Sequence, residues 1–216
     1  MATTHSDSIY IIVDVESNGP SVKHNSMFAF GAVAIDPATK TVIGSCAYSF
    51  PEEDGTVPNS ESMKFWNVPE NRVIYDALHA EQVTREEALR GLADFWNAIA
   101  AKYPAKRLYF ASDCLSYDWK FIDTALQDYV GNYVMGYSGF DIYSYAAATF
   151  GVSRQNVWNA VKDLVHDAVV HDHDPYNDAL SEAVLLVDVM CVRENAKWTA
   201  LVFSDRTRPI NKWIIY

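Results

Sequence analysis

Two histidines and three aspartates lie within the ten residues HDHDPYNDAL, 171–180. Asp174 is a suitable N-cap, and Pro175 suits the first position of a helix, so we predict that a long helix starts here. Asp178 then falls in the first helical turn, where its carboxylate can point back toward a sheet. His173 precedes the helix on a less constrained segment. This stretch therefore offers a base and a carboxylate at a fixed spacing, with four residues between them.

A second pair of acids, Asp14 and Glu16, ends the apolar run IYIIVDV, 9–15, which is typical of a buried strand. Side chains alternate along a strand, so both carboxylates point to the same side. Two buried like charges repel each other, and a divalent cation is the simplest compensation. The alternative is a strand end where acidic residues have reached solvent.

A third group of acids, Asp113, Asp118 and Asp123, surrounds the start of a predicted helix in SDCLSYDWKFID. An aspartate in a first turn is stabilised by the helix dipole, so capping alone could account for each of them. Asp118 differs in its setting, because it follows a predicted strand over 107–112 and precedes an apolar pair of the helix. We therefore expect Asp118 at the rim where strands end.

The elements that position these residues alternate between strands and helices. A capping box between Thr84 and Glu87 marks the start of one helix, and Gly151 is suited to end another. Strands are predicted over 9–15, 27–36, 41–50 and 107–112. Helices are predicted from Thr84, after 107–112 with an apolar face from Phe121 to Tyr129, over 140–151, and from Asp174 to about 192, and 60–82 is expected to form short helices or irregular structure. Three strands in a meander followed by alternating helices and strands indicate one α/β domain, a mixed sheet with helices on its faces.

Composition sets wider limits. The chain has 216 residues, of which 50% are hydrophobic, enough for a single well-packed domain. The polar start MATTHSDS lacks the features of a signal peptide, and no apolar run approaches the ~20 residues of a membrane span. The three scattered cysteines fit a reducing cytoplasm. The net charge of −11 argues against a long nucleic-acid footprint, but a carboxylate-rich cation site is compatible with it.

The order of these motifs resembles that of a known family. IIVDVESNGP, YDWKFID and HDPYNDALSEA are similar to the three motifs of the DEDDh branch of the DnaQ-like 3′–5′ exonucleases. The resemblance covers roughly 9–190. It implies a ribonuclease H-like fold, an α/β architecture with a mixed five-stranded sheet and helices on both faces. The chain would form one exonuclease domain over 1–216, with 193–216 as an extension packed on the core or on a partner.

The resemblance also implies a mechanism. Asp14, Glu16 and Asp178 would hold one Mg²⁺ or Mn²⁺, and Asp118 would support a second ion that Asp14 bridges, which suits hard cations. His173 would act as the general base on the attacking water. The reaction would release nucleoside 5′-monophosphates from a 3′ end. Nearby carboxylates favour a charged histidine, so we expect the activity to rise with pH.

One segment narrows the resemblance further. SMKFWNVPENR, followed by the helix from Thr84, is similar to a phage and bacterial group of small 3′–5′ exoribonucleases. The expected partner is therefore nucleic acid with a 3′ end, with RNA favoured over DNA. Ser17, Asn18 and Trp66 are candidate substrate contacts. The alternative for the aromatic residues is a place in the core, which we expect for Trp66, Trp96, Trp119 and Trp158.

Three other interpretations stay open. The chain could carry out the same chemistry on DNA, or it could be a catalytically silent scaffold with a nuclease-like fold. It could also hold a non-haem iron through His171, His173 and an acid. Outside that third case, we expect His171 and Asp172 to be solvated or supporting residues. The apolar C-terminal segment could form a homodimer. Contacts to substrate phosphates are expected from some of the basic residues, namely Lys23, His24, Lys64, Arg72, Lys106, Arg107, Arg154, Arg206, Arg208 and Lys212.

Overall fold

In the computed structural model, residues 7–131, 134–165, 171–193 and 211–215 are described. They form a six-stranded mixed sheet with the order β5-β4-β1-β2-β3-β6. The strands are β1 Ser8–Ser17, β2 Met27–Asp36, β3 Thr41–Ser49, β4 Arg107–Ser112, β5 Gly139–Asp141 and β6 Lys212–Ile215. The central strand β1 pairs antiparallel with β2 and parallel with β4. The carboxyl ends of β1 and β4 therefore meet at one edge of the sheet.

Helices cover both faces of this sheet. They are α1 Ser60–Trp66, α2 Pro69–Ala80, α3 Arg85–Lys102, α4 Leu115–Tyr129, α5 Ile142–Phe150, α6 Val157–Val165 and α7 Pro175–Arg193. The Thr84 hydroxyl accepts a hydrogen bond from the Glu87 amide at 3.1 Å, which confirms the predicted start of α3. Gly151 ends α5 with a φ of 66°, in the left-handed region that glycine adopts without strain.

Alternation along β1 decides which helices face which side chains. Ile9, Ile11 and Val13 pack with α3 and α4 on one face. Tyr10 and Ile12 pack with α5, α6 and α7 on the other face. Asp14 and Glu16 continue this second series, so they emerge on the face that α7 covers.

The predicted α/β architecture, a mixed sheet with helices on both faces, is confirmed, with three local differences. The predicted helix over 140–151 starts with the short strand β5, which pairs with β4. Helix α6 has no predicted counterpart, whereas α1 and α2 fall within 60–82, where short helices or irregular structure are expected. Five strands, β1–β5, match the expected number, and the C-terminal segment adds β6 beside β3. Residues 194–210, which include Arg206 and Arg208, lie outside the described residues.

The tryptophans do not all belong to the core. Trp66 and Trp96 are buried as predicted, and Trp119 is half-buried. Trp158 on α6 is 50% exposed, so the prediction that it lies in the core is wrong. Val157 and Val161 on the same helix are buried, whereas Trp158 lies in the lining of an open cavity.

Among the described residues, no helix combines the length and the apolar character that a membrane span requires.

Candidate active site

Three of the predicted carboxylates converge where β1 ends and α7 begins. One oxygen each of Asp14, Glu16 and Asp178 lies within 4.8 Å of the others. Glu16 and Asp178 are buried, whereas Asp14 is partly exposed. Strand periodicity places the first two acids on the α7 face, and the first turn of α7 brings the third to them. A cation at this point would contact oxygen ligands from two separate elements.

Gly31 allows α7 to come this close to the sheet. It lies opposite Asp14 in the β1–β2 register. A Cβ atom at this position would lie 2.2 Å from the carbonyl oxygen of Pro175, the first residue of α7. The helix backbone thus rests directly on β2, beside the carboxylate pair. Only glycine permits this contact without a shift of α7.

Asp118 reaches the same edge from the other side of β1. It lies in the first turn of α4, which follows β4, and it is 3% exposed. Its Oδ1 accepts a hydrogen bond from the Val15 amide at 3.2 Å. Because the regular β1–β4 pairing ends at Ile12, this carboxylate satisfies a strand amide beyond it. The contact fixes Asp118 beside the Asp14–Glu16 pair.

The electrostatics of the cluster favour a bound cation. Burial, reinforced by repulsion from neighbouring carboxylates, raises the pKa of Asp14 and of Glu16 well above their usual range. Burial likewise raises the pKa of Asp118 to about 8. Within the described structure, Asp14 Oδ2 is buried and has no hydrogen-bond partner. These oxygens fit a divalent ion, which would supply the missing partner and offset the repulsion.

The loop before α7 is ordered by Asp172 rather than by solvent. Its carboxylate accepts hydrogen bonds from the Asp174 amide and from Asn177 Nδ2, each at 3.1 Å. Its own amide donates to Asp178 Oδ1 at 3.1 Å. His173 lies between these contacts with a φ of 64°, a left-handed conformation that is uncommon for residues other than glycine. The surrounding hydrogen bonds hold His173 in this conformation.

Both histidines contact Asp178, with different surroundings. His171 Nδ1 lies 3.2 Å from Asp178 Oδ1, and the side chain is 53% exposed. His173 Nδ1 lies 3.8 Å from Asp178 Oδ2, is 28% exposed, and its ring packs edge-on against Phe65 at 4.6 Å.

These surroundings shift the two imidazoles in opposite directions. The hydrogen bond to Asp178 raises the pKa of His171. Burial lowers the pKa of His173 and outweighs the attraction of Asp178, contrary to the expectation that nearby carboxylates keep His173 charged. A neutral His173 can accept a proton, whereas His171 tends to keep one.

The candidate substrate contacts are engaged within the protein. Trp66 is buried, and its Nε1 donates to the carbonyl oxygen of Ser17 at 3.0 Å. Asn18 is 0% exposed and donates through Nδ2 to Glu52. The Ser17 hydroxyl donates to the carbonyl oxygen of Gly19 at 2.8 Å. These side chains hold the turn after β1 in place, and their contact with substrate stays a prediction.

Of the remaining acids, Glu182 was missed by sequence reasoning. It is buried one turn after Asp178 on α7, and its Oε2 accepts a hydrogen bond from the Asp113 amide at 3.0 Å. The signal was its spacing of four residues from Asp178, which places both on one face of a helix. Asp123, in contrast, points to solvent, where it accepts a hydrogen bond from Gln127.

Several of the expected phosphate contacts are neutralised. Lys64 pairs with Glu61 at 2.8 Å, Arg72 with Asp76 at 2.7 Å, and Lys106 with Asp36 at 3.1 Å. Lys106 and Arg107 also lie at the start of β4, whereas the carboxylate cluster lies beyond its other end. Arg154 donates through Nη2 to the carbonyl oxygen of Asp113 at 2.6 Å, and its Nε lies 3.6 Å from Asp141 Oδ1, so it is partly neutralised as well.

The alternative iron ligands also come together. One ligand atom each of His171, His173 and Asp178 lies within 4.8 Å of the others. The two candidate sets share Asp178, so one carboxylate joins the histidines to the acidic cluster. The iron set leaves the mutually repelling Asp14–Glu16 pair without a role.

Comparisons with known proteins concern the chain and its fold as a whole. No family model matches the chain. It is 26% identical over 183 residues to the 3′–5′ DNA exonuclease Cap18 of Escherichia coli, a match that covers 82% of this chain and 89% of that protein.

Solved structures of exonucleases share the fold. The nuclease domain of 3′hExo, a DEDDh family member bound to rAMP, superposes with a TM-score of 0.63 at 11% identity, over 92% of this chain and 98% of that domain. A 3′-exonuclease from a structure on recognition of the histone mRNA stem-loop superposes with a TM-score of 0.61 at 12% identity. The match covers 90% of this chain and 85% of that protein. Product-bound exonuclease I superposes with a TM-score of 0.54 at 14% identity. The match covers 88% of this chain and 44% of that protein.

Proposed function

We propose that this chain is a metal-dependent 3′–5′ exonuclease, in keeping with its motifs and fold, which fit the DnaQ-like DEDDh family. The observation that carries the proposal is the cluster of Asp14, Glu16, Asp118 and Asp178 at the end of β1. Burial raises the pKa of Asp14, Glu16 and Asp118, so a cation is needed to stabilise their ionised forms together. Among the described residues, the buried Asp14 Oδ2 has no other partner.

The four carboxylates would serve two ion positions, with Asp14 shared between them. Asp14, Glu16 and Asp178 would hold one Mg²⁺ or Mn²⁺, and Asp14 together with Asp118 would hold a second. When bound, two such ions stabilise the attacking and leaving oxygens of an in-line phosphodiester displacement. Oxygen ligands alone match the preference of these hard cations.

His173 supplies the base. Its neutral imidazole accepts a proton from the attacking water, whose oxygen forms the new bond to phosphorus. The bond from phosphorus to the 3′-oxygen of the preceding nucleotide breaks, and that oxygen takes up a proton from solvent. The terminal nucleotide leaves with its phosphate as a nucleoside 5′-monophosphate. The ordered loop at Asp172 and the edge contact with Phe65 orient the imidazole for this transfer.

The substrate would be a single-stranded 3′ end or a 3′ overhang. The segment SMKFWNVPENR favours RNA, whereas the curated relative Cap18 is a DNA exonuclease. Discrimination between the two rests on recognition of the 2′-hydroxyl. A homodimer through the C-terminal segment and a cytoplasmic location stay predictions.

The test uses matched, labelled single-stranded RNA and DNA, each with its 3′ or 5′ end blocked. With Mn²⁺ we expect stepwise shortening from a free 3′ end, release of 5′-monophosphates, and no digestion when the 3′ end is blocked or EDTA is present. The ratio of the RNA and DNA rates decides the substrate. Absence of digestion on both polymers would favour the silent scaffold, and digestion from the 5′ end would refute the proposed polarity.

A further inference from the structure

A cavity of about 180 Å³ opens beside the carboxylate cluster. Side chains from the β4–α4 turn, α5, α6 and α7 line it, among them Asp113, Tyr143, Trp158, His171 and Glu182. None of the residues proposed to bind the ions lines it. It is therefore a separate compartment next to the proposed reaction centre.

Two of its walls connect it to that centre. His171 Nδ1 contacts the Asp178 carboxylate at 3.2 Å. Glu182 lies one turn after Asp178 on α7, and it binds the Asp113 amide at the start of the turn that leads to Asp118. A nucleic-acid strand with its last phosphodiester at the carboxylate cluster can place a neighbouring group in the cavity.

The aromatic wall is unusual for its exposure. Trp158 is 50% exposed on α6, although tryptophan is largely buried on average. Tyr143 lies beside it in the cavity lining, and Arg154 lies over the Tyr143 ring, 5.6 Å from its centroid. An exposed indole and a tyrosine ring covered by a guanidinium match the features with which proteins hold single strands, where bases stack on rings and phosphates contact cations.

We propose that this cavity binds the base of the nucleotide on the 5′ side of the scissile phosphate, stacked on Trp158, with Arg154 near its phosphate. The inference rests on the proposed exonuclease function and extends it to a second substrate position. The volume supports a single base, because pockets for whole drug-sized ligands span roughly 300–1,000 Å³. Asp113 and Glu182 line the cavity with acceptor oxygens, so a base with an exocyclic amino group, such as cytosine, fits better than uracil or thymine.

The test is a cycle of enzyme and substrate changes under steady-state conditions. One oligonucleotide carries cytosine at the position before the last nucleotide, and its partner is abasic there. We expect Trp158→Ala to raise KM about tenfold for the cytosine substrate, in line with the loss of one stacked base. The abasic substrate should show the same KM with either enzyme. Trp158→Phe should restore most of the binding.

Tyr137→Ala is the matched control, because Tyr137 is 96% exposed and does not line the cavity. A second arm compares substrates with cytosine, uracil or thymine at the same position. We expect the wild type to have a lower KM for cytosine, and we expect Asp113→Asn to reduce this difference in KM. One contrary outcome is that the wild type digests both oligonucleotides while Trp158→Ala raises KM equally for the two substrates, or for neither of them. Either result would refute the subsite and leave the exonuclease function intact. Equal KM values for the three bases would refute the role of the acceptors. No digestion by the wild type would instead refute the proposed function.

Discussion

The two histidines of HDHDPYNDAL differ in their surroundings more than in their distance from Asp178. His173 is less exposed, its pKa is lowered by burial, and Phe65 packs on its ring. His171 is closer to Asp178, and this contact raises its pKa. The assignment of His173 as the base therefore depends on its protonation state rather than on proximity.

Replacement of each histidine separates these roles. We expect His173→Ala to lower kcat by about 10²–10⁴-fold, the usual contribution of a general base, with Mn²⁺ affinity largely retained. His171→Ala should cost far less in kcat. Single-turnover rates and calorimetric Mn²⁺ titration of both variants measure this. His173→Ala at the wild-type rate, together with an inactive His171→Ala, would reverse the assignment.

The pH dependence follows from the same residue. Only neutral His173 accepts a proton, so the rate should rise with pH through the pKa of that imidazole. Because burial lowers this pKa, the midpoint should lie below the ordinary value of 6.5. The measurement is kcat at saturating Mn²⁺ from mildly acidic to alkaline pH. A flat profile would count against a histidine base, and a midpoint above 6.5 would contradict the effect of burial.

At the scale of elements, much of the site was predictable because it depends on local patterns. Strand alternation gave the common direction of Asp14 and Glu16, and the Asp174-Pro175 start gave the position of Asp178. Strand β5 was missed because three residues carry no periodicity, and its identity comes from pairing with β4. Tertiary features such as the cavity at Trp158 leave no pattern in the sequence.

Gly31 is another such feature, and it provides a test at this scale. Gly31→Ala should push the start of α7 away from β2 and move Asp178 relative to Asp14. We expect a loss of kcat of roughly tenfold to a hundredfold, since misplacement by about 1 Å can cost the latter. Gly91→Ala is the control, because its Cβ would crowd the Tyr48 hydroxyl on the opposite face of the sheet. Equal rates for both variants would show that the close contact is not needed.

At the scale of the whole molecule, the net charge of −11 is partly concentrated at a site that needs a cation. Burial raises the pKa of Asp118 from its ordinary 3.8 to about 8, so the folded chain holds a proton that the unfolded chain releases at lower pH. The stability that this proton provides is present at acidic pH. It is lost as the pH rises toward the folded-state pKa.

The metal-free protein should therefore unfold at a lower temperature at pH 8 than at pH 5, and Mn²⁺ should raise Tm more at pH 8. Asp118→Asn should raise the metal-free Tm at pH 8 by several degrees, because about 1 kcal/mol shifts the Tm of a domain this size by roughly 2–4 °C. Scanning calorimetry in EDTA measures both effects. A metal-free Tm that rises from pH 5 to pH 8 would contradict the buried acidic cluster.

The account as a whole depends on hydrolysis at this cluster. The most direct measurement is the rate of 5′-monophosphate release with Mn²⁺ from a 3′-labelled single strand, for wild type, Asp14→Ala, Asp118→Ala and Asp123→Ala. Asp123 is the matched control, since it lies on α4 with Asp118 but faces solvent. We expect losses of at least about 10³-fold for the first two variants and a wild-type rate for the third. Hydrolysis that persists in Asp14→Ala and Asp118→Ala would contradict the account.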